Sequence, residues 1–171
     1  PKTTVVDFSK GTVAEKVIAL TFDGGSLANA VAPILEILAE HAIISTMFLT
    51  GRFIEKYPQA TLQIVRAGHE IGNHTWDHSH LTTFAENNKH TTLQNIDRDT
   101  LHDQLSRTGE AFFELTDMRM QPFWRAPYGE HNHELRSWAA VIGYRHIGWT
   151  MGKSADESLD TLDWLADSTA T

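Results

Sequence analysis

Short apolar runs alternate with longer amphipathic segments along most of the chain. Within the longer segments, apolar residues recur at three- and four-residue spacing, which is typical of helices. We predict strands at residues 17–22, 43–49, 69–72 and 144–149, with a brief apolar run at 123–124. We predict helices at residues 27–41, 52–67, 92–115, 134–142 and 158–168. Strands that alternate with helices favour an α/β fold of parallel βαβ units, either a barrel or an open doubly wound sheet.

Three polar side chains stand just after predicted strands. Asp23 follows the first strand, His74 follows the run at 69–72, and Arg125 follows the run at 123–124. Loops that leave the carboxyl ends of parallel strands meet at one edge of a sheet or one mouth of a barrel. We therefore expect a carboxylate, an imidazole and a guanidinium to converge there, which favours an enzyme.

His74 and His78 are four residues apart, a spacing that places both rings on one side of a helical turn. Neutral imidazole is a good ligand for zinc or cobalt. Taken alone, the pair is equally consistent with two hydrogen-bonded loop histidines. A catalytic metal site needs about three protein ligands, and the third is typically a carboxylate.

Asp23 precedes Gly24 and Gly25, so it can be a general base in a cleft or simply a turn-forming residue. Arg125 lies in a loop that Pro127 holds extended, where it could grip the carboxylate of Asp23 or form an ordinary ion pair.

Composition narrows the range of functions. The 171 residues include 41% apolar and 21% charged residues, which fits a single soluble domain spanning residues 1–171. The formal net charge of −8 argues against nucleic acid as a partner. We expect no membrane span, because no apolar run is long enough, and we expect a monomer. The chain has no cysteine, which excludes disulfides, thiolate zinc sites and cysteine nucleophiles.

Four motifs occur in order along the chain: three contain the residues discussed above, and the fourth contains a pair of acids, Asp160 and Asp163. The motifs are VIALTFDGG at 17–25, HTWDH at 74–78, RAPYG at 125–129 and DTLDW at 160–164. On spacing alone, the last motif reads as a solvated acidic helix face with one buried tryptophan. Together the four resemble the NodB-homology polysaccharide deacetylases, carbohydrate esterase family 4, over nearly the whole chain.

The resemblance implies a distorted (β/α) barrel and a metal-dependent hydrolase that removes acetyl groups from a polysaccharide. The substrate would be N-acetylglucosamine residues of peptidoglycan or chitin, with acetylxylan as an alternative. The enzyme would be secreted or associated with the cell wall, and its cofactor would be a divalent metal, Zn²⁺ in preference to Co²⁺. A third alternative is a carbohydrate-binding module of the same fold whose catalysis has lapsed.

The resemblance also implies roles for individual residues. Asp23 is the catalytic base, Arg125 positions it, and the backbone N–H of Tyr128 binds the developing oxyanion. Trp164 walls the pocket for the acetyl methyl group, and Asp163 supports the acid–base machinery. The metal ligands are His74 and His78.

Two departures from the family pattern matter. Gly24 stands where the family has its acidic metal ligand. The place could be taken by a water, by Asp23 or by another group such as Asp77 or His131, or metal binding could be weak or absent. We expect binding to be retained through both histidines with reduced affinity, and Asp23 ahead of Asp77 as the additional ligand. The printed chain also ends at Thr171, before the fifth motif that supplies a general-acid histidine. We therefore expect a C-terminally incomplete domain whose barrel lacks its last strand.

Overall fold

The structure is a computed structural model that describes residues 5–11 and 17–150. The helix predicted at 158–168 lies outside the described residues, and so do Asp163 and Trp164. Within the described residues, no helix is both long and apolar enough to cross a membrane.

Over residues 5–11 and 17–150, six parallel strands form one sheet in the order β1-β6-β5-β4-β3-β2. The strands are β1 (Asp7–Phe8), β2 (Thr21–Gly24), β3 (Thr46–Leu49), β4 (Glu70–Asn73), β5 (Phe123–Trp124) and β6 (Arg145–Ile147). Four are shorter than or shifted from the predicted runs, and β1 was not predicted. The first apolar run was only partly right, because its first two residues, Val17 and Ile18, are exposed and precede β2.

The sheet is strongly curled. Arg125 directly follows β5, yet its Nη1 atom lies 2.8 Å from Oδ1 of Asp23 on β2. Two strands separate β5 from β2 in the sheet order, so a flat sheet would hold them about 14 Å apart. The strands must therefore bend round toward each other, and the α/β sheet forms a half-barrel that confirms the predicted barrel-type fold.

In the described part of the chain, six α-helices connect or flank the strands. They are α1 (Val31–Glu40), α2 (Gly51–Lys56), α3 (Pro58–Arg66), α4 (Phe84–Asn87), α5 (Arg98–Thr116) and α6 (His133–Val141). The helical pattern at 52–67 forms two helices, because Pro58 starts a new helix after a break at Tyr57. The long helix begins at Arg98 rather than 92, because the side chain of Asp97 accepts from the Thr100 N–H and caps it.

Two apolar clusters hold the helices against the sheet. The larger centres on β3, β4 and helices α1 to α3, and its buried members include Leu49, Phe53 and Phe112. The smaller joins α5 and α6 to the buried Trp124 of β5. The strands are thereby fixed, so the loops at their carboxyl ends are presented from a rigid base.

The two faces of the sheet carry different polar groups. Trp124, His146 and Asp7 are aligned across β5, β6 and β1, and therefore share one face. Arg125 is the next residue after Trp124, and it points to the opposite face, toward Asp23. The clusters around Asp23 and around Asp7 consequently lie on opposite faces of the sheet.

Candidate active site

Arg125 fixes one oxygen of Asp23. The Arg125 side chain is buried, and its Nη1 donates to Asp23 Oδ1 at 2.8 Å and to Thr21 Oγ1 at 2.9 Å. Its other nitrogens donate to the carbonyl oxygens of Ile147 and Gly148 at 3.1 and 3.2 Å. The contact with Asp23 is a single hydrogen bond rather than the two-pronged grip considered from the sequence. Asp23 Oδ2 is thereby left to the cleft, where 36% of the side chain is exposed.

His74 presents an unprotonated nitrogen to Asp23. Its Nδ1 lies 2.9 Å from the carbonyl oxygen of Arg125, and a carbonyl only accepts, so Nδ1 carries the proton. Burial, which outweighs the nearby Asp23 carboxylate, lowers the pKa of His74 and keeps the ring neutral. The lone pair of Nε2 therefore faces Asp23 Oδ2 across 3.7 Å. Two electron-rich atoms facing each other across this gap are suited to hold a cation between them.

His78 lies beside His74, with ring centroids 4.8 Å apart and the planes at 71°. Burial, reinforced by the neighbouring His74, lowers the pKa of His78 to about 4, so this ring is also neutral near pH 7. The helical turn assumed for the pair is wrong: residues 74–78 are non-helical, and Thr75 and His78 have φ of 66° and 60°. A bent loop, rather than helical spacing, brings the two rings together.

The donor chemistry of Asp23, His74 and His78 fits a divalent metal, but the set is not closed. Among the described residues, the one group of three whose ligand atoms all lie within 4.8 Å of one another is a different one, Asp7, His131 and His146. In the first set, His74 Nε2 lies 3.7 Å from Asp23 Oδ2. Asp77 lines the same cleft as Asp23 and His78. Burial raises its pKa, but hydrogen bonds from Ser79 and Gln104 outweigh this and lower it overall, so Asp77 is an anion at neutral pH.

Gly24 faces the core. A Cβ built on Gly24 would lie 2.7 Å from Cδ2 of the buried Leu49 and 3.9 Å from Phe53. Strand alternation explains this direction, because Asp23 points to the curled inner face and its neighbour points the other way. Position 24 thus has no ligating atom, and a side chain there would require the Cδ2 end of the buried Leu49 to shift.

Tyr128 adopts a left-handed conformation, with φ of 57°, in the turn Pro127–Gly129. Its ring lies edge-on to His78 at 4.6 Å and stacks on His80 at 4.1 Å. The residue predicted to supply an oxyanion donor therefore lies beside the histidine pair.

A second polar cluster joins Asp7, His131 and His146, and its geometry could bind a metal ion. His146 Nδ1 lies 2.8 Å from Asp7 Oδ1, and His131 Nε2 lies 3.7 Å from Asp7 Oδ2. The remaining ring nitrogens already accept hydrogen bonds, from the Ala126 N–H at 3.2 Å and from Arg136 Nη1 at 2.7 Å. A metal would therefore have to displace the protons that point at Asp7. His131, considered as a substitute ligand for the first site, contacts His146 instead.

Sequence reasoning missed Asp7, His146, His80 and Glu130. Asp7 lies in a two-residue strand with no periodic signal, and His146 lies inside an apolar run where its partner could not be foreseen. Of the three members of the second cluster, only His131 had been named from the sequence, as a substitute ligand for the first site. Arg52, Lys56 and Tyr57 were also missed, although they line the cleft with Asp23 and His78. His133, two residues after His131, is exposed at the start of α6.

The chain is similar in sequence to known polysaccharide deacetylases. The family model described as polysaccharide deacetylase matches residues 10–147. The chain is 30% identical over 155 residues to a chitooligosaccharide deacetylase from Azorhizobium caulinodans, covering 91% of this chain and 64% of that protein. It is 28% identical over 144 residues to the peptidoglycan-N-acetylmuramic acid deacetylase PdaA from Bacillus subtilis, covering 84% and 50%. The chain thus spans between half and two thirds of these relatives' length.

Solved structures of the family have the same fold. The structure of Bacillus subtilis PdaA, a family 4 carbohydrate esterase, matches with a TM-score of 0.75 at 28% identity, covering 92% of this chain and 59% of that one. A family 4 pseudoenzyme from Bacillus anthracis matches with a TM-score of 0.78 at 25% identity, covering 95% and 50%. The family therefore includes both active deacetylases and a pseudoenzyme. From its motifs, its curled sheet and the match over residues 10–147, the chain belongs to the polysaccharide deacetylase family.

Proposed function

We propose that this protein is a metal-dependent hydrolase that removes acetyl groups from a polysaccharide. The observation that carries the proposal is the pairing of the His74 lone pair with Asp23 Oδ2 at 3.7 Å, with His78 alongside. His74 and Asp23 would hold a cation there, with His78 as a third ligand. A bound divalent ion would supply an acidified water and would polarise the acetyl carbonyl.

The protein's own groups have separate tasks in this proposal. Asp23 Oδ2 takes the proton of the attacking water, since Oδ1 is already held by Arg125. Arg125 is anchored by four hydrogen bonds, so it fixes the direction of the carboxylate. The Tyr128 N–H binds the oxygen on which negative charge develops. Hydrolysis then yields acetate and, from an N-acetyl sugar, a free amine.

We infer that the substrate is an N-acetylated amino-sugar polymer such as peptidoglycan or chitin, and that the protein acts outside the cell or at the cell wall. The names of the relatives, a peptidoglycan deacetylase and a chitooligosaccharide deacetylase, support this class. Acetylxylan is the alternative, because an ester and an amide present the same carbonyl to the site. Acetate release from chitooligosaccharides, peptidoglycan and acetylxylan, assayed side by side, separates the three.

The test of the metal mechanism is removal of the metal. We expect exhaustive chelation to abolish acetate release, and added Zn²⁺ or Co²⁺ to restore it. Turnover that is unchanged after chelation would overturn the metal mechanism.

A second candidate is a carbohydrate-binding module without catalysis. Gly24 favours it, because this position carries no ligand and faces Leu49, and so does the similarity to a pseudoenzyme. This candidate predicts oligosaccharide binding that chelator leaves unchanged, together with no acetate release from any of the three polymers.

A further inference from the structure

A buried carboxylate joins the two loops of the candidate site. Glu130 is 1% exposed, and its Oε2 accepts from the backbone N–H groups of Leu81 at 3.0 Å and Thr82 at 2.9 Å. Its Oε1 lies 2.6 Å from His80 Nδ1, which donates to it. A buried carboxylate is costly unless it is paired, and three donors satisfy this one. Glu130 therefore ties the segment after the histidine pair to the segment after Arg125.

The link continues through His80 to the site itself. The His80 ring stacks on Tyr128 with 4.1 Å between centroids and 13° between planes. Tyr128 also lies edge-on to His78, at 4.6 Å between centroids and 73° between planes. Tyr128 is a non-glycine residue at φ 57°, a conformation that persists only where its surroundings hold it. The stacked His80 ring, anchored by Glu130, is such a restraint.

We propose that Glu130 is a positioning residue that, through His80, fixes Tyr128 against His78. This inference rests on the proposed function, in which the Tyr128 N–H binds the oxyanion and His78 is a ligand. Glu130 touches none of the reacting groups, so its effect on the reaction passes through the two rings. Small displacements of such groups have large effects on rate, while substrate binding depends on them less.

The variant Glu130→Gln tests whether the hydrogen bonds of Glu130, rather than its charge, hold the two rings in place. In Glu130→Gln, the amide oxygen can still accept from Leu81 and Thr82, and the amide nitrogen can donate to the half-exposed His80 ring. In Glu130→Ala, all three donors lose their partner. Glu134→Ala is a matched control, because Glu134 is an exposed acid four residues away that accepts one hydrogen bond from Thr92.

The experiment combines steady-state acetate release with histidine-selective ¹H–¹³C NMR of the whole chain, and thermal unfolding checks the fold. For Glu130→Ala we expect kcat to fall by about 10- to 100-fold with KM little changed. We also expect the His78 resonance to shift as the Tyr128 ring moves away. Glu130→Gln should restore most of kcat and the parental His78 resonance, and Glu134→Ala should match the parent.

The proposal is overturned if Glu130→Ala lowers only the unfolding temperature and leaves kcat and the His78 resonance as in the parent. If the parent itself releases no acetate, the proposed function fails, and the His78 resonance in the Ala and Gln variants still decides the positioning role. If Glu130→Ala does not fold, variants of His80 test the positioning role instead. The proposal then requires His80→Ala to displace the His78 resonance and His80→Phe, which keeps a stacked ring, to restore it.

Discussion

The hydrogen bond from Arg125 makes the two carboxylate oxygens of Asp23 unequal. Oδ1 accepts from the guanidinium at 2.8 Å, whereas Oδ2 faces His74 Nε2 at 3.7 Å. An asparagine at position 23 could keep the first contact through its amide oxygen and donate from its amide nitrogen toward the His74 lone pair. The fold should therefore tolerate Asp23→Asn, although the side chain could no longer take a proton.

We predict that Asp23→Asn lowers the rate of acetate release by about 10²- to 10⁴-fold, the usual contribution of a general base. The unfolding temperature should stay close to that of the parent. Asp77→Asn, which removes a charge from the same cleft, should have a much smaller effect. Retention of most activity by Asp23→Asn, or an equal loss in Asp77→Asn, would show that the base has been assigned wrongly.

Metal content distinguishes the two polar clusters. Because the ring nitrogens around Asp7 are already hydrogen-bonded, we predict that zinc binds at His74 rather than there. Zinc retained after dialysis, measured by mass spectrometry, should fall sharply in His74→Ala and stay near the parental value in Asp7→Asn. The opposite pattern would place the cation with Asp7, His131 and His146.

A side chain at position 24 should destabilise the fold. We predict that Gly24→Ala lowers the free energy of unfolding by about 1–3 kcal/mol, because its Cβ would meet Leu49 Cδ2 at 2.7 Å. In a Leu49→Ala background, which removes that atom, the same substitution should cost less. Urea unfolding of the four proteins completes the cycle. If the losses in unfolding free energy from Gly24→Ala and Leu49→Ala are strictly additive, the alanine side chain at position 24 does not contact Leu49.

For the same reason, Gly24→Asp alone should be a poor way to supply the missing ligand. Its carboxylate starts from a Cβ that points at Leu49 and Phe53. Zinc affinity of Gly24→Asp measured by calorimetry tests this, and a large gain without loss of stability would contradict the strand geometry described above.

Stability should fall as the pH drops from about 6.5 toward 4. Burial, together with the nearby His146, lowers the pKa of His131 to about 4, whereas an unfolded histidine has an ordinary value near 6.5. The unfolded state therefore binds the proton first, so the contribution of the neutral ring is complete above 6.5 and is lost as the pH approaches 4. His78 behaves in the same way.

The check is urea unfolding in chelator at several pH values. His131→Gln should flatten part of the decline between pH 6.5 and 4, and His133→Gln, an exposed histidine two residues away, should leave it unchanged. A His131→Gln curve parallel to that of the parent would show that this ring is not held neutral by the fold.

Much of this arrangement could be predicted because its determinants are local. Asp23 and Arg125 each follow a strand, and the rule that loops meet at the carboxyl ends of parallel strands was enough to bring them together. The two histidines were also found, although for the wrong local reason, since the loop bends through left-handed residues where a helical turn was assumed.

The other features of the site depend on long-range contacts, which produce no periodic pattern in the sequence. The pairing of Asp7 with His146 spans 139 positions and starts from a strand of two residues. The direction of Gly24 could be known only once β2 was paired with β3, because the register decides that Leu49 lies opposite. Glu130 is marked by no pattern in the sequence, and its three donors come from a segment about fifty positions away.

The curl of the sheet also bears on how the protein folds. The contact between Asp23 and Arg125 closes a loop of 102 positions and needs β2, β3, β4 and β5 aligned at once. Contacts at such sequence separation form late, since the entropy of closing the chain is lost before they contribute. A partly folded chain would therefore lack the proposed catalytic centre altogether, and recovery of acetate release during refolding should lag behind recovery of helical circular dichroism.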